Sequence, residues 1–459
     1  MRALAYVANP ELAVLVDAIE PDSQARDGAL SAIIGRDLRL SIAGLKSYFY
    51  ADWQPVLVDL LVVAAAAEYC DVVSRRPAWG WARAFDVRVA VHDPAHWNTS
   101  AIRGALEDAL GFLTGDSWAF SFVARAHPVE EVSKTLNLGH PAKVIIPYSN
   151  GLDSMAVAAL ASAPEQSGLV RVRLGSASAD QKSHNKERRA FTAVPYEIRV
   201  VEGRRRESSA RSRGFKFAVI TGIAAALAGA DKIVVTESGQ GALGPVLAVS
   251  GQAYPDYRVH PAFTMRVERL FAALLGRTAR YDFPRLWSTK GETIAAAAKL
   301  PATQSWAKTR SCWQQARQVG FEQKLRQCGV CAACILRRMS LHAAGIEEPS
   351  DTYVWENLGA SDFRSGAVSG FGLVTKALEQ YAIAGVLHLD HLAALPSSSV
   401  HRRSVRRCAR EVADALGEDV KDTEMKLLSM LERHRIEWRA FLESLGPNSF
   451  VTKLVTVSP

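Results

Sequence analysis

Apolar strands that alternate with helical stretches across residues 142–236 constrain the fold of this chain more than any other feature. Strand periodicity occurs at 143–148 (KVIIPY), 169–174, 196–201 and 232–236 (KIVVT), and helical stretches separate these runs. Such alternation is typical of a parallel sheet with helices on both faces. Because ligands of these sheets bind at the carboxyl ends of the strands, the loops after Tyr148, Leu174 and Thr236 are candidate sites.

The flanking regions differ from this core. Residues 1–138 combine strand periodicity at 86–91 and 118–124 with a helical pattern at 99–113, which predicts an α+β accessory domain. After residue 349 the periodicity is helical, at 377–384, 401–416 and 422–445. We therefore predict three domains in the 459 residues: 1–138, an α/β domain at 139–348, and a helical extension at 349–459.

A short polar loop follows the strand at 143–148. It consists of Ser149, Asn150, Gly151, Leu152, Asp153 and Ser154, and a helix comes next. A strand, a small-residue turn and a helix start create a nest of backbone N–H groups that suits phosphate. Asp153 can also hold Mg²⁺ on that phosphate. The alternative is an ordinary turn in which Asp153 caps the helix. The loop is not a Walker loop, because the sequence has no Gly-Lys-Ser/Thr at this point.

Four of the six cysteines are clustered. Cys312, Cys328, Cys331 and Cys334 have the spacing C-x15-C-x2-C-x2-C, which is typical of a closed, structural Zn²⁺ site. An iron–sulfur cluster is the rival interpretation, but the C-x2-C-x2-C-x3-C-P run of bacterial ferredoxins is absent from the sequence. The remaining two, Cys70 and Cys408, are isolated and read as buried, inert thiols.

The loop at 149–154 resembles the SGGxDS loop of the PP-loop ATP pyrophosphatases. These enzymes activate carboxylates, ureas or amides as adenylates and release pyrophosphate. Asn150 replaces the first glycine of that motif. Asparagine is the residue after glycine that best tolerates positive φ, so the turn is compatible with it.

Further segments resemble the QueC family of 7-cyano-7-deazaguanine synthases over residues 139–348. The strongest similarity is in 309–313 (TRSCW) and 328–334 (CGVCAAC) with Arg337. Weaker similarities lie at 290–294 (KGETI), 254–258 (YPDYR) with Phe263, 211–215 (RSRGF), and at Gln181, His184 and Glu187. The loop 237–243 departs from the family's N-A-x-D-x-S-G segment.

This resemblance implies the cofactors ATP, Mg²⁺ and Zn²⁺ and the adenylation of 7-carboxy-7-deazaguanine. Carried onto this sequence, it implies catalytic roles for Ser149, Asp153, Arg211 and Arg213. ATP would be bound by Tyr148, by the loop from Ser149 to Ser154 (Asn150, Gly151, Leu152 and Asp153 included), and by Gln181 and His184. The substrate would be bound by Glu237, Tyr254, Asp256 and Arg258. Solvated basic residues and a structural Asp256–Arg258 turn pair are the alternatives for the arginines and for Asp256.

The N-terminal stretch, at 113–118 (LTGDSW) and at the preceding Asp93, Pro94 and Trp97, resembles the long QueC-like proteins of bacterial antiviral defence, QatC and the type IV CBASS branch. That branch is associated with attaching a deazaguanine to a protein N-terminus, so the resemblance implies a protein acceptor encoded nearby. Two alternatives stay open: nitrile synthesis with ammonia, and a non-catalytic nucleotide-binding subunit. We interpret four tryptophans, at positions 79, 81, 97 and 118, as core residues or as anchors of a protein interface.

Composition adds few constraints. Lys plus Arg number 55 and Asp plus Glu 47, and the net charge of +8 is compatible with nucleic acid but does not require it. The basic run 401–410 is typical of a solvated helix face, with an acidic partner or nucleic acid as the alternative. No apolar stretch of the sequence reaches the roughly 18 residues of a membrane span, so we expect a cytoplasmic protein. The number of copies in the assembly, homo-oligomers included, stays open.

Overall fold

The computed structural model describes residues 13–40, 54–77, 80–127, 143–149, 151–162, 169–173, 196–200, 207, 211–248, 254–300, 306–314 and 319–455. These residues divide between two compact units that are each assembled from separate stretches of chain. The first unit comprises Met1–Pro147, Glu165–Val235 and Asp256–Asp282, and the second comprises Tyr148–Pro164, Thr236–Pro255 and Phe283–Pro459. The three-domain boundaries drawn from the sequence stay a prediction.

The first unit begins with a four-stranded parallel sheet. Its strands are β1 (Val14–Ile19), β2 (Leu30–Ile33), β4 (Ala84–Val91) and β5 (Ser117–Ala124), in the order β2-β1-β4-β5. Helices α1 (Pro55–Val73), α2 (Pro94–Trp97) and α3 (Ser100–Thr114) lie in the connections. The predicted α+β arrangement is therefore wrong for the described part of residues 1–138. All neighbouring strands of this sheet are parallel, helices lie between β2 and β4 and between β4 and β5, and strand periodicity does not reveal strand direction.

A second sheet of the first unit contains β6 (Val144–Tyr148), β7 (Leu169–Arg173), β9 (Lys232–Val234) and β10 (Arg280–Asp282), in the order β10-β9-β6-β7. Strand β9 runs parallel to both β6 and β10, as the sequence predicted for a parallel core. One assignment is wrong. The predicted strand at 196–201 is the short β8 (Tyr196–Ile198), which pairs antiparallel with β3 (Leu38–Leu40) instead of joining this sheet. The short, polar β10 takes the remaining edge.

Two long helices complete the first unit: α5 (Arg213–Ala228) and α8 (Pro261–Leu275). They approach closely at Gly222, where a Cβ atom would overlap the ring of Phe271. Glycine at this position therefore permits the contact, because any larger residue would push the helices apart.

The second unit is mostly helical. Its elements are α4 (Leu152–Ser162), α6 (Gly239–Ala242), α7 (Gly244–Leu247), α9 (Lys290–Ala298), β11 (Gly320–Phe321), β12 (Lys324–Leu325), α10 (Ala332–Ala343), α11 (Lys376–Ala394), α12 (Arg402–Leu416), α13 (Val420–Leu445) and α14 (Phe450–Leu454). The helical prediction for 349–459 is confirmed. No helix among the described residues is both long and apolar enough to span a membrane.

Candidate functional site

The described residues of the polar loop between β6 and α4 lie close together. The Ser149 hydroxyl accepts a hydrogen bond from the Gly151 amide at 3.1 Å and lies 2.9 Å from the Ser154 hydroxyl. Ser154 Oγ lies 3.4 Å from the hydroxyl of Thr236, the second residue after β9. The loop therefore gathers three hydroxyl groups at the start of α4. Asn150, Gln181, His184 and Glu187 lie outside the described residues.

Helix α4 is anchored by Leu152, whose side chain is fully buried. It packs in an apolar cluster with Met155, Ile294 and Leu341, which come from α4, α9 and α10. Asp153 and Ser154, the next two residues of the chain, are thus held in place by the hydrophobic contacts of their neighbour.

Asp153 forms an ion pair with Lys290, the first residue of α9. The side chains of Asp153 and Lys290 are only 14% and 8% exposed, so the pair is largely shielded from water. Its second oxygen, Oδ1, is buried and has no hydrogen-bond partner among the described residues. A buried carboxylate oxygen without a partner among the described residues fits a Mg²⁺ ion.

The sequence did not identify Lys290 as a functional residue. The signal was present in the capping box at 289–292, where Thr289 Oγ1 accepts the Glu292 amide and Glu292 accepts the Thr289 amide. A capping box fixes the first turn of a helix, and Lys290 lies in that turn. Only the fold shows that this turn meets residue 153.

The loop after β9 contains Glu237 and Ser238 and leads into α6. The Glu237 carboxylate lies directly over Gly241, because a Cβ atom at 241 would overlap it. The Ser238 hydroxyl is buried and has no hydrogen-bond partner among the described residues. The loop is held to α9, since the Gln240 side chain accepts the Lys290 amide at 2.7 Å. The predicted substrate residue Glu237 is thus beside the turn that carries Lys290.

In the first unit, a separate cluster contains the predicted arginines. Arg258 binds the Asp256 carboxylate through Nη2 at 2.6 Å and Nε at 2.8 Å, and Arg211 Nη1 lies 3.9 Å from the same carboxylate. Burial raises the pKa of Asp256, but Arg258 outweighs burial and leaves that pKa below its ordinary value. Burial lowers the pKa of Arg211 and of Arg213. The Asp256–Arg258 pair that a structural turn would contain is therefore formed, and it lies beside Arg211.

The N-terminal sequence contributes to this cluster, which the sequence did not predict. The Trp81 ring lies between two guanidinium groups, 4.0 Å from that of Arg76 and 5.0 Å from that of Arg211. Asp71 accepts the amide and the hydroxyl of Ser212 at 2.8 and 2.9 Å, at the start of α5. Residues from 1–138 therefore fix the orientation of Arg211. Tyr254 belongs to the second unit and is half-buried.

The four clustered cysteines come together as predicted. Their sulfur atoms all lie within 4.8 Å of one another, and Cys328 Sγ is 3.8 Å from Cys334 Sγ. A tetrahedron with metal–sulfur bonds of roughly 2.3 Å has sulfur–sulfur distances of about 3.8 Å, so the cluster fits a metal ion. Backbone amides also point at the sulfurs, with the Cys328 amide 3.2 Å from Cys312 Sγ and the Cys331 amide 3.3 Å from Cys328 Sγ. These donors stabilise negative charge on the thiolates.

Arg337, three residues after Cys334, links two parts of the chain that supply cysteines to the cluster. It is fully buried, forms an ion pair with Glu348 at 2.5 Å, and donates to the Thr309 hydroxyl at 2.6 Å. Thr309 lies three residues before Cys312. Arg337 therefore ties α10, which carries Cys334, to the segment that supplies the first cysteine.

Comparisons with known proteins identify a similarity in the central part of the chain. Residues 215–345 match the family model described as "QueC: Queuosine biosynthesis protein QueC". This stretch contains the Glu237 loop, the Asp256–Arg258 pair, Lys290 and the four cysteines. The matched stretch begins after the polar loop at 149–154 and after Arg211. The chain is thus QueC-like in its central part.

Curated relatives carry the name 7-cyano-7-deazaguanine synthase. One, from Ralstonia nicotianae, is 28% identical over 232 residues, which cover 45% of this chain and 97% of the relative. One from Anaeromyxobacter sp. is 34% identical over 110 residues, covering 23% of this chain and 42% of the relative. One from Cupriavidus taiwanensis is 33% identical over 108 residues, covering 22% and 43%. For the latter two, the match spans less than half of the relative's length. No solved structure matches this chain significantly.

Proposed function

We propose that this chain is an ATP-dependent enzyme that activates the carboxylate of 7-carboxy-7-deazaguanine as an adenylate and transfers the acyl group to an amine. The buried Asp153–Lys290 pair at the hydroxyl-lined loop is the observation that carries the proposal. The similarity to 7-cyano-7-deazaguanine synthases supports the choice of substrate.

The chemistry follows from the leaving group. A carboxylate does not acylate an amine at neutral pH, because oxide leaves poorly. In the first step a carboxylate oxygen attacks the α-phosphorus of ATP, and the bond to the β-phosphate oxygen breaks to release pyrophosphate. In the second step the amine nitrogen attacks the acyl carbon, the bond to the AMP oxygen breaks, and the amine loses a proton. Catalysis of the first step is mostly positioning and charge neutralisation.

The chain supplies both requirements at the loop. The Ser149 and Ser154 hydroxyls and the Gly151 region would hold the pyrophosphate, and the Lys290 ammonium would neutralise the charge that develops on it. Asp153 would hold a Mg²⁺ ion, which would supply positive charge to neutralise the phosphates. A buried ammonium is more effective here than an exposed one, because water screens it less.

The arginine cluster suits the anionic end of the substrate. Arg258 presents a planar fork that matches a carboxylate, and Arg211 lies nearby with its orientation set by Trp81. The substrate would have to compete with Asp256 for Arg258. Asp256 would then be available to accept hydrogen bonds from the N1–H and the exocyclic amine of the base, with Glu237 as the second candidate for that role.

We assign Zn²⁺ to the cysteine cluster, in a structural role. Four thiolates leave a tetrahedral ion no open position for a substrate. The cluster residues Cys328, Cys331 and Cys334 are fully buried in an apolar core, which supports the same assignment.

We further propose that the acceptor amine belongs to a protein partner and that the setting is bacterial antiviral defence. This step depends on the resemblance of the N-terminal stretch to the long QueC-like branch. It is supported by how much chain, on both sides of 215–345, lies outside the family match. The second candidate is ammonia as acceptor, with a nitrile as product. The match over 97% of the Ralstonia synthase favours that candidate.

The test combines two measurements on the full chain. Pyrophosphate release is measured with Mg-ATP and 7-carboxy-7-deazaguanine, with guanine as the control substrate. Release that requires the carboxylate supports adenylation, whereas ATP binding without release would leave a non-catalytic subunit. Intact-mass spectrometry of a partner encoded nearby then identifies the acceptor. A mass increase of one deazaguanine acyl group supports the protein acceptor, and free nitrile with an unmodified partner refutes it.

A further inference from the structure

Helix α13 lies outside residues 215–345 and contacts the capping box that begins α9 through two side chains. Arg433 Nε is 2.8 Å from a Glu292 oxygen, and the Thr289 hydroxyl donates to Glu437 Oε1 at 2.5 Å. Residues 433 and 437 are four apart, so they share one face of the helix. This face therefore binds both ends of the capping box that begins α9.

A buried relay connects the same helix to the Lys290 backbone. Gln240 accepts the Lys290 amide at 2.7 Å and donates to His434 Nδ1 at 2.8 Å. His434 Nε2 lies 2.9 Å from the Leu389 carbonyl, which can only accept, so Nε2 carries the proton and Nδ1 accepts. Burial lowers the pKa of His434 to about 4, which keeps the ring neutral and the relay intact at physiological pH.

Glu437 packs tightly against Gly291 in the first turn of α9. A Cβ atom at Gly291 would lie 2.8 Å from Glu437 Oε1 and 2.9 Å from Ala343 Cβ, so only glycine fits between α13 and α10. Glu437 Oε2 is buried and has no hydrogen-bond partner among the described residues. The turn that carries Lys290 is therefore packed directly against Glu437.

The charges around Glu437 come from two elements. Glu292 faces it from α9 and Arg433 from α13 itself, whereas Gln240 of α6, Thr289 and the neutral His434 bring no charge. Burial is the main reason why the pKa of Glu437 rises to about 7. Above that pH, a second carboxylate joins Glu292 beside the turn that holds the phosphate-binding lysine.

We propose that Glu437 is a positioning residue for the nucleotide. It fixes the first turn of α9 so that Lys290 meets Asp153 at the phosphate loop, and the C-terminal region is thereby part of the ATP site. The inference rests on the proposed function, because it takes Lys290 as the ligand of phosphate. Its action is indirect, since the Glu437 carboxylate contacts Thr289 and the Gly291 backbone.

The kinetic test compares Glu437→Ala, Glu437→Gln and Glu443→Gln. Glu443 is an exposed glutamate on the same helix and serves as the matched control. We expect Glu437→Ala to raise the KM for ATP about tenfold with a smaller change in kcat, and Glu437→Gln to restore the parent KM at pH 6.5. Between pH 6 and 8.5 the KM of the parent should rise about fivefold, as a second buried carboxylate repels the triphosphate, while that of Glu437→Gln stays flat. Equal pH profiles in parent and Glu437→Gln would refute the inference.

A ligand-free measurement separates this inference from the proposed function. Hydrogen exchange of α9 peptides is measured in Glu437→Ala, in Lys290→Met and in the double variant. If Glu437 acts through Lys290, the two substitutions are not additive; additive effects overturn the inference whether or not the enzyme releases pyrophosphate. If the parent releases none with any substrate, the proposed function fails, and this coupling alone decides whether Glu437 positions Lys290.

Discussion

Replacing Lys290 with methionine is the most direct test of the phosphate loop. The substitution keeps the length of the side chain and leaves the Asp153 carboxylate, only 14% exposed, without its cation. Removing one partner of a buried ion pair costs roughly 3–5 kcal/mol, because the remaining charge is left without compensation. The positive end of the α4 dipole compensates Asp153 by up to about 1 kcal/mol, so we expect a loss near 3 kcal/mol.

The assay is hydrogen exchange followed by mass spectrometry, read on peptides from α4 and α9, because it reports local opening free energies. Asp153→Asn should cost a similar amount, since it leaves a buried ammonium. The double variant Asp153→Asn/Lys290→Met should cost less than the sum by about 2 kcal/mol or more, because it removes both charges. Each single variant should also abolish pyrophosphate release. Additive costs, or release at the parent rate in either single variant, would show that the pair is not a functional unit.

Four further predictions concern other parts of the molecule. Cys331→Ser should lose one zinc per chain by elemental analysis and lower the melting temperature, and a coloured, iron-containing parent protein would contradict the zinc assignment. Glu437→Gln should be more stable than the parent above pH 7 but not below pH 4.5. The pKa of the folded parent, about 7, lies above the ordinary 4.5, so its stability falls by up to about 3 kcal/mol as pH rises through that window; urea unfolding at pH 5 and 8.5 that gives equal differences would refute this. Gly241→Ala should displace Glu237 and raise the KM for the deazaguanine substrate, whereas Gly104→Ala, on a helix with open space around it, should leave the KM unchanged. A chain truncated after Glu348 should be insoluble and bind no zinc, because the C-terminal region completes the core around the cysteines. A soluble, zinc-loaded fragment would show that this core forms without the C-terminal region.

The sequence predicted those parts of the site in which the functional residues are close in the chain. Three of the four cysteines fall within seven residues, and the polar loop at 149–154 is a hexapeptide. Residue spacing alone therefore indicates the chemistry of each. The Asp153–Lys290 pair joins residues 137 positions apart, and no local pattern relates them. The contact of Trp81 with Arg211 likewise depends on tertiary structure, and a tryptophan in an apolar region is most often core.

Strand pairing is a second feature that local sequence patterns do not predict. The predicted run 196–201 contains the strand Tyr196–Ile198, yet this strand pairs with Leu38–Leu40, because periodicity specifies which residues alternate but not which edge they join. The strand Arg280–Asp282 has three residues, two of them charged, and its periodicity is too short to recognise. Strand existence is thus a local property of this chain, whereas strand partners are not.

The core around the cysteines includes residues of the C-terminal region, so this region is not an independent addition to the chain. Cys328, Cys331 and Cys334 pack in one buried cluster with Val354 and Trp355, with Leu378 and Val386 of α11, and with Trp438 and Phe441 of α13. Gly385 on α11 lies so close to the backbone of Ala332 that a Cβ atom would approach its amide nitrogen to 2.7 Å. Metal binding and burial of these aromatic residues therefore stabilise the same structure. Since α13 also contacts the turn that carries Lys290, a change in this helix should affect zinc retention and ATP binding together, although neither ligand would touch it.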